Sequence, residues 1–447
     1  MDKTIEFIES NRNRYVSELC SLIRQPSVSP EGLGMEACAR LVREMLKQIG
    51  ADARVFETAR YPIVLGSVDS PGAVKTLLIY GHYDVQPTGT ASLWTSPPFE
   101  PAIRSGRIYG RGTADNKGQF FAHIKAVESI LRVHRALPCN VIFLLDGEEE
   151  INSPSLEPFI DAHKELLRAD ACLVSDGPRH ESGRPTIVCG LKGIVELELR
   201  TRGANRDLHS MRAAMFPSPV WKLIHVLASL KNPDGRVMIP GFYDAIRQPT
   251  ASEREAVKRI PVDPAGIRRE MGIREILDGD GSYYYNMCFS PTCNISGIES
   301  GYTGVGSSTV LPGGAFAKLD FRLVPDQKPK ELLEQLSAHL HQQGYGDLEI
   351  ITYGELTPSR TPVDHPYVQL VVAAVRNATG TDPIIYPGMG GSAPDYLFTR
   401  NLGLPSVWLP LASHDSNNHA ADENIVIEDL LAGIKMGASI IEAFGRR

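Results

Sequence analysis

Acids and histidines in this 447-residue chain recur directly after short apolar runs. Gly81-His82-Tyr83-Asp84 follows Thr76–Tyr80, Asp146-Gly147-Glu148-Glu149-Glu150 follows Asn140–Leu145, and Ser175-Asp176-Gly177 follows Cys172–Val174. A loop with His414, Asp415 and His419 follows Val407–Leu411, and Gly110-Arg111-Gly112-Thr113-Ala114-Asp115-Asn116-Lys117-Gly118 lies between the first two runs. Taken singly, each piece has an ordinary reading. His82 fits a turn, Asp115-Asn116 a helix cap, and the Glu run a solvated first turn of helix. Taken together, they place histidines and carboxylates at the ends of several strands of one sheet. Crowded carboxylates are unfavourable without a cation. Two histidines with three or more acids suit zinc, with manganese or cobalt as alternatives, and two neighbouring ions need one bridging carboxylate. Such a centre makes water nucleophilic near neutral pH and polarises a carbonyl, which is the chemistry of amide hydrolysis.

The elements that must position these groups are legible from hydrophobic pattern. Continuous apolar runs read as strands buried on both faces, and residues 34–49 and 118–135 read as helices between them. Strand and helix in alternation imply a mostly parallel sheet covered on both sides. The style changes near residue 193. Residues 193–202, 315–324 and 347–352 alternate apolar with polar, helix-like residues 219–230 intervene, and 231–308 reads as a long irregular region rich in Pro, Gly and Tyr. From residue 366 the first style returns, with helices over 366–378 and 427–444 and a strand at 384–386. The fold class expected is α/β: a catalytic domain of residues 1–193 and 358–447, interrupted by an inserted α+β domain over 194–357. Ligands bind at the carboxyl ends of the strands in open sheets of this kind.

Composition narrows the functional class. Hydrophobic residues make up 42% and charged residues 22%, and the net charge of -7 is spread along the chain. That balance argues against a nucleic-acid or anionic-membrane surface. The first 25 residues carry early acids and no unbroken apolar stretch, so they read as an amphipathic helix rather than a secretory signal. No apolar run approaches the ~20 residues needed to span a bilayer. Seven cysteines without a CxxC pair give no disulfide framework, so the expected compartment is reducing, and cytoplasmic.

In order and type these motifs resemble the co-catalytic zinc peptidases that include carnosinases, cytosolic dipeptidases, carboxypeptidase G, acetylornithine deacetylase and succinyl-diaminopimelate desuccinylase. The matching pieces are Gly81-His82-Tyr83-Asp84-Val85-Gln86-Pro87, Gly110 to Gly118, Asp146 to Glu150, Ser175-Asp176 and His419-Ala-Ala-Asp-Glu423. The resemblance implies two zinc ions per chain in a phosphorylase/hydrolase-type catalytic domain. His82 and Asp176 would hold one ion, Glu150 and His419 the other, with Asp115 bridging. Asp84 would orient the His82 imidazole. Glu149 would be the general base and acid, taking a proton from the bridging water and returning it to the leaving amine. Glu148, where the family has an apolar or small residue, is expected to face solvent.

The inserted segment carries further matches. Asp207-Leu208-His209-Ser210 resembles a family stretch whose histidine enters the partner subunit's site and stabilises the oxyanion; Met211 stands where the family has glycine. This implies a homodimer formed through a lid and dimerisation domain. Arg322, in Leu319–Pro325, would bind a substrate carboxylate, with Thr309 as a lesser polar contact. Gly391 and Ser392, in Gly390–Pro394, resemble a glycine-rich substrate loop. The long 231–308 segment favours the carnosinase and dipeptidase branch, hence hydrolysis of dipeptides or small peptides. The same centre would serve an N-acyl-amino-acid amidohydrolase. A non-catalytic binding or scaffold protein on this fold would have lost a ligand or the base, whereas all are present here.

Overall fold

The computed structural model describes residues 2–277 and 279–446. Its main sheet has eight strands, ordered Asp52–Phe56, Ile63–Val68, Asn140–Asp146, Thr76–His82, Ala171–Val174, Ser406–Trp408, Thr186–Val188 and Ile384–Tyr386. Thr76–His82 runs parallel to both its neighbours, and Ser406–Trp408 runs parallel to Ala171–Val174. Four adjacent strands therefore present their carboxyl ends along one edge. The apolar runs behave as their composition demands. Leu77, Ile79, Val141, Phe143 and Leu145 pack into one cluster, while Leu78, Tyr80, Ile142 and Leu144 pack into another on the opposite face. Successive side chains of a strand alternate faces, so an unbroken apolar run needs cover on both.

The helices Lys117–His134, Pro366–Thr379 and Ile427–Gly445 supply much of the first cover. The Lys117–His134 helix lies so close to the sheet that a Cβ on Gly81 would sit 2.7 Å from that of Phe120. A Cβ on Gly118 would sit 2.0 Å from the Thr113 carbonyl. Glycine at these two positions lets the metal-motif loops lie against the helix start.

A second sheet is ordered Thr292–Glu299, Gly314–Leu323, Gly193–Arg202 and Glu349–Leu356, antiparallel throughout. Its apolar face packs on helices Pro219–Leu230 and Pro329–Gln342, giving a core of its own around Leu197, Leu223, Leu319 and Leu336. The alternating strands at 193–202 and 315–324 thus have the half-buried character read from them. The chain passes between the two sheets twice, and the passages pair: Ser359 N donates to Leu191 O at 3.0 Å and Thr361 N to Cys189 O at 2.7 Å.

Two expectations need correction. Residues 231–308 are not irregular: they hold the helices Ala251–Lys258, Pro264–Met271 and Tyr283–Phe289 and the strand Thr292–Glu299. Helices of eight residues or fewer show barely two turns of periodicity, too little to stand out among prolines and glycines. Part of this stretch also joins the main sheet's second cluster through Val257, Ile260 and Cys288. The amino-terminal amphipathic stretch is two helices, Asp2–Ser10 and Arg12–Ile23, broken at Asn11, whose amide donates to Phe7 O. Among the described residues no helix is long and apolar enough to cross a membrane.

Candidate active site

His82 ends its strand fully buried, directly beside Asp146 across the parallel pairing. Its Nε2 lies 3.1 Å from Asp115 Oδ1 and 3.4 Å from Asp176 Oδ2. His419, on the loop after the Ser406–Trp408 strand, places its Nε2 3.0 Å from Asp115 Oδ2 and 3.2 Å from Glu150 Oε2. One oxygen of Asp115 thus faces each imidazole. The ligand atoms of His82, Asp115 and Asp176 lie within 4.8 Å of one another, as do those of Asp115, Glu150 and His419. Convergence at the strand ends, inferred from hydrophobic pattern, is what the fold delivers.

These residues fit a pair of divalent ions on their own chemistry. Among the described residues, Glu150 Oε1 is buried without a hydrogen-bond partner and buried His82 Nε2 faces only the carboxylate oxygens of Asp115 and Asp176 without a well-formed hydrogen bond; burying a polar atom in that state is costly unless something else is coordinated. Charge agrees. Burial raises Glu149 well above the ordinary carboxylate range, and Asp176, Glu150 and Asp115 raise it further, with His82 opposing. Burial likewise raises Glu150, against the pull of His419. Asp115 and Glu150 hold the His419 imidazolium up to about 10. Burial disfavours charge on His82, but Asp115, Asp176 and Asp84 outweigh it and raise that group well above its usual value. A surplus of carboxylate charge that recruits protons also recruits cations.

Asp84 ties the two halves together. His82 Nδ1 lies 3.2 Å from the Asp84 main-chain oxygen and 3.3 Å from its Oδ1, acceptors that favour the tautomer whose Nε2 lone pair points into the centre. The same carboxylate accepts from Ser29 Oγ at 2.6 Å, Glu149 N at 3.2 Å and Glu150 N at 3.0 Å, so it also fixes the turn Glu149–Ile151. Along that turn the adjacent acids diverge. Glu149 points toward His82, its Oε2 3.9 Å from Nε2 with 19% of its side chain exposed, while Glu150 meets His419 and accepts from Gln86 Nε2 at 2.9 Å.

Glu148 does not face solvent. It is fully buried and accepts from Tyr61 N at 2.7 Å and Ser155 N at 2.8 Å, with Ser155 Oγ at 3.0 Å. These donors replace water around the buried carboxylate.

Glu423 is a residue whose role the sequence did not disclose, although it sits in the His419 motif. It is fully buried, pairs with Arg111 Nη1 at 2.7 Å, and accepts from Gly112 N and Ala114 N at 2.9 Å and Asp115 N at 3.0 Å. One carboxylate therefore clamps the backbone carrying Asp115 to the loop carrying His419. That loop holds His419 at φ 61° and Asp422 at φ 56°, left-handed conformations that non-glycine residues adopt under constraint. Asp422 accepts from Thr95 Oγ1 at 2.6 Å, and Asp415 receives both Arg107 Nη atoms at 3.1 and 2.8 Å. Asn116 is a second unsuspected brace: its Nδ2 donates to Ser175 O at 2.7 Å and its Oδ1 accepts from His82 N at 3.3 Å. An acid or amide inside a motif reads the same from sequence whether it braces or binds.

The cluster opens into a cavity of ≈ 310 Å³ that Gly391 and Ser392 also line. Arg322 Nη1 donates to Ser392 Oγ at 2.7 Å, so the strand arginine and the glycine-rich loop meet beside it. His209 and Thr309 are not brought here. They stand exposed side by side, with His209 opposite Val310 in the short pairing and Ser210 N donating to Thr309 O at 2.9 Å.

Known proteins resemble this chain along most of its length. The model of peptidase family M20/M25/M40 matches residues 78–443. An M20 family metallo-carboxypeptidase of Sulfolobus solfataricus is 36% identical, with a TM-score of 0.92 over 97% of this chain and 99% of that one. The Cys-Gly metallodipeptidase of Schizosaccharomyces pombe is 26% identical over 98% of this chain and 96% of its own. The Beta-Ala-His dipeptidase of Rattus norvegicus is 25% identical over 98% and 94%.

Proposed function

The chain belongs to peptidase family M20/M25/M40, and from that premise we propose that it is a metal-dependent hydrolase of the amide bond in dipeptides and small peptides. The observation that carries the reading is the pair of ligand groups sharing Asp115, with Glu149 beside them. We assign His82, Asp115 and Asp176 to one zinc ion and Asp115, Glu150 and His419 to the other. Manganese and cobalt suit the same donors. Ions there supply Lewis acidity toward the scissile carbonyl and lower the pKa of water. The chain's own residues do the rest. Glu149 accepts the proton of the attacking water and delivers it to the departing amine nitrogen. Asp84 holds His82 in its tautomer. Arg322, backed by Ser392 and Gly391, takes the substrate's carboxylate.

Residues 1–193 with 358–447 form the catalytic domain in this reading, and 194–357 the lid and dimerisation domain. His209, with Thr309 beside it, serves the partner's site as oxyanion donor. The exposure of both residues away from their own cavity supports this assignment. So does the outer strand Thr292–Glu299, whose Ile295 and Ile298 are 43% and 63% exposed: it has a free edge for pairing across a twofold axis. Mixing His209→Ala with Glu149→Gln tests the arrangement. Each is expected to be nearly inactive alone, and random re-assortment should restore about a quarter of wild-type activity, because half the mixed dimers' sites regain both groups. Absence of rescue removes His209 from the partner's site. The seven cysteines, all free and buried, support a reducing, cytoplasmic location.

Carboxypeptidase action on longer peptides is a second reading, favoured by the 36% identity to a metallo-carboxypeptidase. Metal analysis with a panel of dipeptides, blocked peptides and acyl amino acids separates these. Two ions per chain and dipeptide cleavage, lost to chelator and regained with zinc, are expected. Cleavage of blocked peptides in preference to dipeptides moves the chain to the carboxypeptidase reading, and cleavage of acyl amino acids alone to the amidohydrolase one. Absence of both metal and hydrolysis returns it to the scaffold reading.

A further inference from the structure

Apart from the ligand cluster, Glu149 and Ser392, the residues lining the cavity are apolar or glycine. We propose that this cavity selects peptides whose C-terminal residue carries an apolar side chain. The inference rests on the peptidase reading above and on Arg322 as the carboxylate anchor. Beside the cluster residues and Glu149, the cavity is lined by Gly391 and Ser392 of the glycine-rich loop and by Gly177 and Pro178, and its side-chain wall is Val188, Leu191, Met389, Ala393, Trp408 and Pro410. Among the described residues no lysine or arginine lines the wall itself, Arg322 meeting the cavity through Ser392, and every acid lining it belongs to the cluster or is Glu149. Lys192, next in sequence to Leu191, is buried and turned elsewhere: its Nζ donates to Ser290 O at 2.6 Å.

With Arg322 as the anchor, a bound dipeptide lies in one direction. Its scissile carbonyl lies at the cluster and its terminal carboxylate at Arg322 and Ser392, so the Cα of the C-terminal residue lies between them, against the apolar wall. A volume of ≈ 310 Å³ is at the small end of ligand pockets, roughly 300–1,000 Å³, and suits one or two residues. The wall is firmly held. Trp408 Nε1 donates to Asp395 Oδ1 at 2.7 Å, and buried Asp395 also accepts from Ser406 Oγ at 2.5 Å. Leu191 pairs with Met389 along the backbone, and its N–H donates to Ser359 Oγ at 3.1 Å. A rigid wall without hydrogen-bonding groups cannot compensate a charged side chain that it strips of water.

The test is kcat/KM of the zinc-loaded chain on two series, Ala-X and X-Ala, with X as Leu, Phe, Asp, Glu and Lys. Ala-Leu and Ala-Phe should exceed Ala-Asp, Ala-Glu and Ala-Lys by roughly 100-fold, while the X-Ala series spans less than about tenfold. Met389→Arg should lower the Ala-Leu to Ala-Glu ratio by at least about tenfold, because a guanidinium at the wall pairs with the acidic side chain. Leu191→Arg reads the same ratio at a second wall position. Equal rates across Ala-X, or a preference that follows the N-terminal residue, would overturn the proposal while leaving the hydrolase reading intact. A zinc-loaded chain that cleaves no peptide overturns both.

Discussion

Glu149→Gln is expected to keep its metal and to lose about 1,000-fold in kcat, the middle of the range for removing a general base. Gln is isosteric with Glu and preserves the turn, because Asp84 holds that turn through the backbone N–H groups of residues 149 and 150 rather than through the Glu149 side chain. Neither ligand group includes Glu149. What the amide lacks is a lone pair basic enough to take a proton from water. Metal content and kcat measured on the same sample separate the two functions, and KM should move little. A Glu149→Gln enzyme with near-normal kcat would transfer the base to another residue. A variant that loses its metal would instead make Glu149 a ligand.

The contrast between Glu148, Glu149 and Glu150 marks where sequence reasoning stops. Three consecutive glutamates after an apolar strand announce a carboxylate cluster, and two of their positions follow from the motif. The buried fate of Glu148 depends on Tyr61 N, far back in the chain, and on how the turn brings Ser155 round. Neither partner has a pattern that points to residue 148. Glu423 is the same problem in reverse, its partners lying some three hundred residues earlier, at Arg111 to Asp115. The strands were legible because a continuous run such as Asn140–Leu145 can only be satisfied by cover on two faces, and the strand ends came with them. The short helices within 231–308 were not, because their stability comes from packing, as with Val257 and Cys288 against the main sheet, rather than from a local repeat.

Asp115→Ala should have the widest consequence of any single change, because its two oxygens face different imidazoles. Removing His419 takes one ligand from one group; removing Asp115 takes one from each. Hydrolysis should fall below detection, and affinity at both proposed sites should drop by at least about 100-fold, more than the 10–100-fold typical of supporting residues. The fold should survive, since the Asp115 main chain is held by Glu423 through its N–H and the side chain contributes nothing to either sheet. Thermal unfolding with and without zinc separates loss of ligands from loss of structure. A ligand bound only by the folded state stabilises by about 2.7 kcal/mol at a hundred times its Kd, so the wild-type chain should gain Tm on adding zinc. The variant should unfold cooperatively and show almost no gain at the same concentration. A variant that still bound two ions and kept the zinc-dependent rise would show that the two ligand groups do not share this carboxylate, and the bridged centre would have to be abandoned.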